Sequence, residues 1–290
     1  MTAPVQHPAP QFSSAIPVQK THLGHALASE WTKIRTVRST LWTLGMLLVL
    51  ILGINLLVVG ASSHDYVTDP VLAFGLFGVL LGQLCVITLG VLVISSEYGT
   101  GMIRTTFTAG PQRGRILAAK AIVFFALSFT VTTVACTLTA LMNNAAFGGR
   151  PANDEDAFYS HSRLVVEHGL TTASGSQWLG ATVGVGLYVA LLGLLSLAVG
   201  TLLRHSAGAI TTMMGVVLLP LIVAIFMPDS LHALQDKLIE YSSPNAIASL
   251  YQMPMLENGS ADGVRQLIVL AIVTAVALGG AYAVLAKRDV

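Results

Sequence analysis

The sequence predicts an all-α fold: a polytopic membrane helical bundle of six transmembrane helices, preceded by an amphipathic interfacial helix. Three observations carry this. Hydrophobic residues make up 54% of the 290 and charged residues only 10%, with a mean hydropathy of +0.74. A water-facing domain carries about a quarter charged residues, so too few are present here to coat such a surface, and lipid must be the solvent for most of it. Six apolar runs each reach the ~20 residues needed to cross a hydrocarbon core. Finally, lysine and arginine gather in alternate connections between those runs.

Taken in order, residues 1–20 contain Pro4, Pro8, Pro10 and Pro17 among polar fillers. With no apolar central region, the stretch is not expected to be a signal peptide. It reads as an unfolded tail, since it buries too little to offset chain entropy. From His22 to Arg35 the pattern turns helical. Leu23, Leu27, Trp31 and Ile34 fall on one face, while Glu30, Lys33 and Arg35 project elsewhere. Such a helix is expected to lie in the cytoplasmic interface, with Trp31 at headgroup depth.

The six spans are expected at about 41–60, 71–95, 116–147, 178–203, 207–227 and 264–286. The third is longer than a bilayer requires, so its excess is expected to project, with Asn143 and Asn144 near the outer edge. Only Arg204-His205-Ser206 separates spans four and five, which forces an antiparallel hairpin. Gly78 and Gly82 in span two, and Gly180 and Gly184 in span four, have the small-xxx-small spacing that lets helices approach closely in lipid. Cys85 and Cys136 sit within apolar runs without metal-ligand or disulfide spacing, and read as small core residues.

Charges set the orientation. Lys20, Lys33, Arg35, Arg38, Arg104, Arg113, Arg115, Lys120, Arg204, Lys287 and Arg288 fall on one side, against Arg150, Arg163, Lys237 and Arg265 on the other. Acids do the reverse. The rule that positive loops stay inside puts both termini in the cytoplasm. No Asp, Glu, Lys or Arg interrupts the cores of the six runs, which weighs against ion-coupled pumping, because a coupling ion needs a buried ligand.

Two further stretches exceed what connectivity needs. The connection from Ser96 to Arg115 combines an acid, glycines and a Gly110-Pro111 break, and is longer than a simple turn of about five residues. The stretch from Pro228 to Pro254 places Leu231, Leu234, Leu238 and Tyr241 on one helical face, and Ser243-Pro244-Asn245 is expected to break it.

Glu97-Tyr98-Gly99-Thr100-Gly101-Met102-Ile103-Arg104, followed by Pro111, Arg113 and Lys120, resembles the signature between the second and third spans of ABC-2 type transporter permeases. Ser29-Glu30-Trp31-Thr32-Lys33-Ile34-Arg35 is similar to the interfacial helix these permeases carry before span one, and residues 228–254 to their short external element before the last span. The resemblance covers nearly the whole chain from His22, making 21–290 one six-span permease domain. The stretch from Gly148 to Gln177 departs from it, being longer and more acidic.

The resemblance implies a cell-membrane exporter subunit without its own motor, moving an amphipathic or hydrophobic substrate such as a drug, antibiotic, peptide or lipid-like molecule. ATP would be bound by a separate ABC ATPase subunit, so this chain needs no cofactor of its own; no G-x-x-x-x-G-K-[ST] cradle occurs in it. Docking would fall on Glu97, Tyr98, Gly99, Thr100, Met102, Ile103, Arg104, Arg113, Arg115 and Arg204. The interfacial helix would contribute Leu27, Glu30, Trp31, Lys33, Ile34 and Arg35. A second permease copy and membrane lipid are the other expected partners, with no nucleic acid. Catalysis is not expected: Asp154, Glu155, Asp156, His161, Glu167 and His168 are acids and histidines of a solvated loop. An ion-coupled secondary transporter and a non-transporting membrane scaffold are the rival readings.

Overall fold

A computed structural model describes residues 22–62, 67–99, 113–152, 163–256 and 263–287. Six helices in it are long and apolar enough to cross a membrane, and the chain is a multi-pass helical membrane bundle. Helix α1 (Leu23–Thr36) stops at Val37, whose extended backbone turns the chain into α2 (Arg38–Ala61), the first span. A 3-10 turn (Ala73–Gly75) leads into α3 (Leu76–Gly99), the second. The third is α4 (Arg113–Phe147). The fourth is α5 (Gly175–Leu203), the fifth α6 (Ser206–Ile225) and the sixth α9 (Val264–Lys287). Between the last two spans lie α7 (His232–Glu240) and α8 (Ser243–Leu250).

The expected spans and the observed ones agree within a few residues, because each span is a local excess of apolar transfer energy. Two boundaries differ for physical reasons. Helix α3 runs on through Glu97 to Gly99, so the first four residues of the expected loop are helical. At its far end α4 does not project free. Asn143 is fully buried and its Nδ2 donates to the Leu72 carbonyl at 3.3 Å, holding the last turns of α4 against the entry to α3.

Spans two and four form the centre. In α5, 67% of the most apolar window is buried, against 11% in α9. Close crossings make this centre, and glycines permit them. A Cβ on Gly78 would sit 2.6 Å from the Ile51 carbonyl, and one on Gly90 would strike the Gly193 carbonyl. Gly180, in a π-helical turn over Gly180–Gly184, faces the Leu250 carbonyl in the same way. Both expected glycine pairs therefore mark helix contacts.

The end of the bundle away from α1 is closed by short elements. Helix α8 is buried along almost its whole length and enters among the spans, where Ser243 Oγ donates to Gln83 Oε1 of α3 at 2.7 Å. The expected break is present: α7 ends at Glu240 and α8 starts afresh at Ser243, with Pro244 at its opening. The proline sits in the first turn, where its missing N–H is no loss, and the Ser242 hydroxyl caps the Asn245 N–H. Strands β1 (Val165–Glu167) and β2 (Leu170–Thr172) pair antiparallel. The two-residue turn His168-Gly169 takes positive φ at both positions, the twist a tight hairpin needs. Thr171 ties the hairpin down, donating its hydroxyl to Phe147 and its N–H to Arg150.

Candidate functional site at the basic end

Helix α1, the end of α3, the start of α4, the Arg204-His205 turn and the end of α9 share one end of the bundle. This basic end gathers charges that the sequence spreads over distant elements. Glu30 and Lys33 stand one turn apart on α1, and they face inward with Ile34. Glu97 comes from the last turn of α3, and Lys120 from the third turn of α4.

The four side chains form a closed ion-pair ring. Lys120 Nζ donates to Glu30 Oε2 at 2.8 Å and to Glu97 Oε1 at 2.7 Å. Lys33 Nζ donates to Glu30 Oε1 and Glu97 Oε1, each at 3.0 Å. Lys120 is 2% exposed, Glu30 5% and Glu97 7%. Charges this far from water are tolerated only when paired, and here two acids balance two lysines. Removing any one member strands the others. Burial lowers the Lys33 pKa, but the Glu30 carboxylate and the hydrogen bonds to Glu97 and Glu30 outweigh it, so the value is raised above its ordinary 10.5.

This arrangement divides the apolar face expected of α1. The packed side carries Glu30 and Ile34, whereas Leu23 and Trp31 are exposed at 40% and 46%. An apolar stripe thus looks outward while the charged pair is internal. The inward side has a simple cause: Lys120 sits near the start of an apolar helix, and its need for counter-charge draws Glu30 toward it. Lys120 stands in the sequence as the last basic residue after the connection. It lies just inside the start of the expected third span, outside its core, and a lysine at that depth is the signal that partners are required.

Of the expected docking residues, Glu97 is buried and paired within the ring. Tyr98 lies beside the Arg204 guanidinium, 5.2 Å from ring centroid to carbon, a cation–π distance. Arg204 ends α5 in a left-handed conformation, φ 53°, which swings its side chain back toward α3. The Nε and Nη2 atoms of Arg204 are buried without a hydrogen-bond partner. Gly99 and Arg113 are the flanking helix ends, and Arg115 is partly buried in the first turn of α4. Thr100, Met102, Ile103 and Arg104 lie outside the described residues, as do Asp154, Glu155, Asp156, His161 and the 1–20 tail. Leu27 is half-buried and Arg35 exposed.

Among the described residues no group of three or more histidine, cysteine or acidic side chains is placed to hold a metal. Two carboxylates and two ammonium groups in mutual contact form a mechanical link between three elements. No protein-family model matches the chain, and no curated protein matches it.

Proposed function

We propose that this chain is the membrane-spanning subunit of an ATP-driven exporter, moved by a separate ABC ATPase that docks at the basic end. The observation that carries the reading is the Glu30–Lys33–Glu97–Lys120 ring. Glu97 and Lys120 flank the connection between spans two and three, and the ring joins both to α1. A push on that connection would therefore move α1, α3 and α4 together, as rigid-body transitions require. Arg204 on Tyr98 adds the connection between spans four and five to the same body.

In this reading the basic end is cytoplasmic, the chain lies in the cell membrane, and both termini are inside, on the strength of the lysine and arginine asymmetry. The outward stripe of Leu23 and Trp31 suits α1 to the interface, where an indole rests well. A second copy would complete the pathway, and the cargo would be amphipathic or hydrophobic. Ion coupling is less favoured, because Lys120 is saturated by two carboxylates and stands near the helix end.

The test is co-purification with a stand-alone ABC ATPase encoded beside this chain, followed by its ATPase rate with and without the permease. Dependence of that rate on the permease, reduced several-fold by Tyr98→Ala or Arg204→Ala, is the expected result. An ATPase that neither binds nor responds removes the reading.

A further inference from the structure

The turn from α1 into α2 carries two arginines and two tryptophans in mirrored order: Trp31 and Arg35 on α1, then Arg38 and Trp42 on α2. Each arginine stands four residues from the tryptophan of its own helix, and residues so spaced share a face. Val37, the extended residue between the helices, sets the two pairs end to end. Three residues span at most about 11 Å, close enough for two arginine side chains to meet at one phosphate. All four side chains are exposed, Trp42 at 80%, and so are Val37 and Leu41 beside them.

The two arginines have no counter-charge in the protein. Among the described residues of the basic end the acids are Glu30 and Glu97, and both are bonded to Lys33 and Lys120. Neither Arg35 nor Arg38 has an ion-pair or hydrogen-bond partner among the described residues. On a water-soluble domain that would carry no information, because an exposed arginine is hydrated. Depth gives it meaning here. Arg38 opens the first span, and Trp42 lies about 6 Å further along the same axis. The packed face of α2 carries Thr40, Leu47, Ile51 and Asn55, so Trp42 and Arg38 look away from the bundle. An indole this exposed near the start of a span marks the headgroup boundary, which sets Arg38 at the depth of the lipid phosphates.

We propose that the Arg35–Arg38 turn is a binding site for an anionic glycerophospholipid of the adjoining leaflet, with phosphatidylglycerol as its simplest form. The two guanidinium groups donate to the phosphate oxygens, the match of planar fork to anion that arginine makes better than lysine. A zwitterionic lipid adds a cationic group that finds no free carboxylate at the turn and is repelled by both arginines. Its acyl chains stay in the bilayer beside Leu41 and Trp42. The lipid so held fixes α1 to the membrane at the end where Glu30 and Lys33 link that helix to α3 and α4. The inference rests on the chain crossing a membrane and is independent of any ATPase.

The experiment uses the full chain in detergent, offered equal amounts of phosphatidylglycerol, phosphatidylcholine and phosphatidylethanolamine with identical acyl chains, with retained lipid counted by native mass spectrometry. An arginine at an anionic membrane surface contributes about fivefold, so phosphatidylglycerol is expected to exceed the choline lipid by up to about 25-fold. Arg35→Gln and Arg38→Gln are each expected to cut that preference about fivefold, and the double variant to abolish it. The melting temperature should not change, since neither arginine bonds within the protein. Lys287→Gln removes another exposed cation of the same end and is expected to leave the preference intact. Glycerophosphoglycerol, the headgroup without chains, is expected to compete poorly. Equal retention of the three lipids overturns the proposal, as does a preference that survives the double variant. A loss with Lys287→Gln as large as with either arginine overturns it too, by showing diffuse attraction, and so does full competition by the chainless headgroup.

Discussion

A lysine ammonium whose side chain is 1% exposed is held there by two carboxylates, Glu30 and Glu97, within 2.8 Å. Such a group lowers the energy of the fold only as part of its set, because desolvation opposes the Coulomb gain. Lys120→Met should therefore destabilise the protein by about 3–5 kcal/mol, by leaving two buried acids with Lys33 alone. The melting temperature of the detergent-solubilised protein reads this. Adding Glu97→Gln to Lys120→Met should restore part of the loss, since residues in one network are not additive. The pH dependence follows from Lys33, whose pKa is raised in the fold. Its contribution is fully present below the unfolded value and is lost as pH rises through the higher folded value. The drop in melting temperature caused by Lys33→Met should thus be constant from about pH 7 to 9, and shrink only in alkali beyond the ordinary lysine range. A loss that varies between those neutral values would contradict the pairing.

At the scale of elements, the crossings that hold the bundle are places where backbone meets backbone. Gly90 faces the Gly193 carbonyl, so Gly90→Leu must force spans two and four apart, while Gly193→Leu would strike Phe124 of span three and Val86 of span two. Overpacking of that kind costs about 1–3 kcal/mol or more, and loss of the monodisperse peak on fluorescence-detected size exclusion would report it. Gly53→Ala is the contrasting control, because nothing lies within 4 Å of a Cβ there, and it should leave the peak intact. The inserted helix α8 makes its own test. Ser243→Ala removes the donor to Gln83 Oε1 and leaves a buried acceptor unmade, a loss of about 1–3 kcal/mol. Ser243→Thr keeps a hydroxyl and should retain more of the stability.

For the whole molecule, six spans require that α1 and the hairpin lie on opposite sides of the membrane. Val37 and Val166 are both 45% exposed, one at each end. With Cys85 and Cys136 replaced, Val37→Cys should be modified only by a reagent that enters the cell, and Val166→Cys by one that does not. Modification of both from the same side would mean an even number of crossings between them and end the six-span topology.

Much of this was legible in the residues alone. The spans, the glycine pairs at Gly78/Gly82 and Gly180/Gly184, and the gathering of basic residues at one end all follow from local content, since membrane transfer is a sum over residues near one another in the chain. The pairing of Glu30 with Lys120 was not, because 90 positions separate them and no sum over neighbours records which charge meets which. The same limit hid which groups Glu30 and Lys33 meet on the side of α1 away from the Leu23–Trp31 stripe, and the packing of Asn143 on Leu72. Sequence determined that the chain enters the bilayer, how many times, and which connections are basic. Tertiary structure alone decided that Glu97 is an internal link and that α1 is held by charge, because a buried ion pair depends on the distance between two elements and on nothing either element contains.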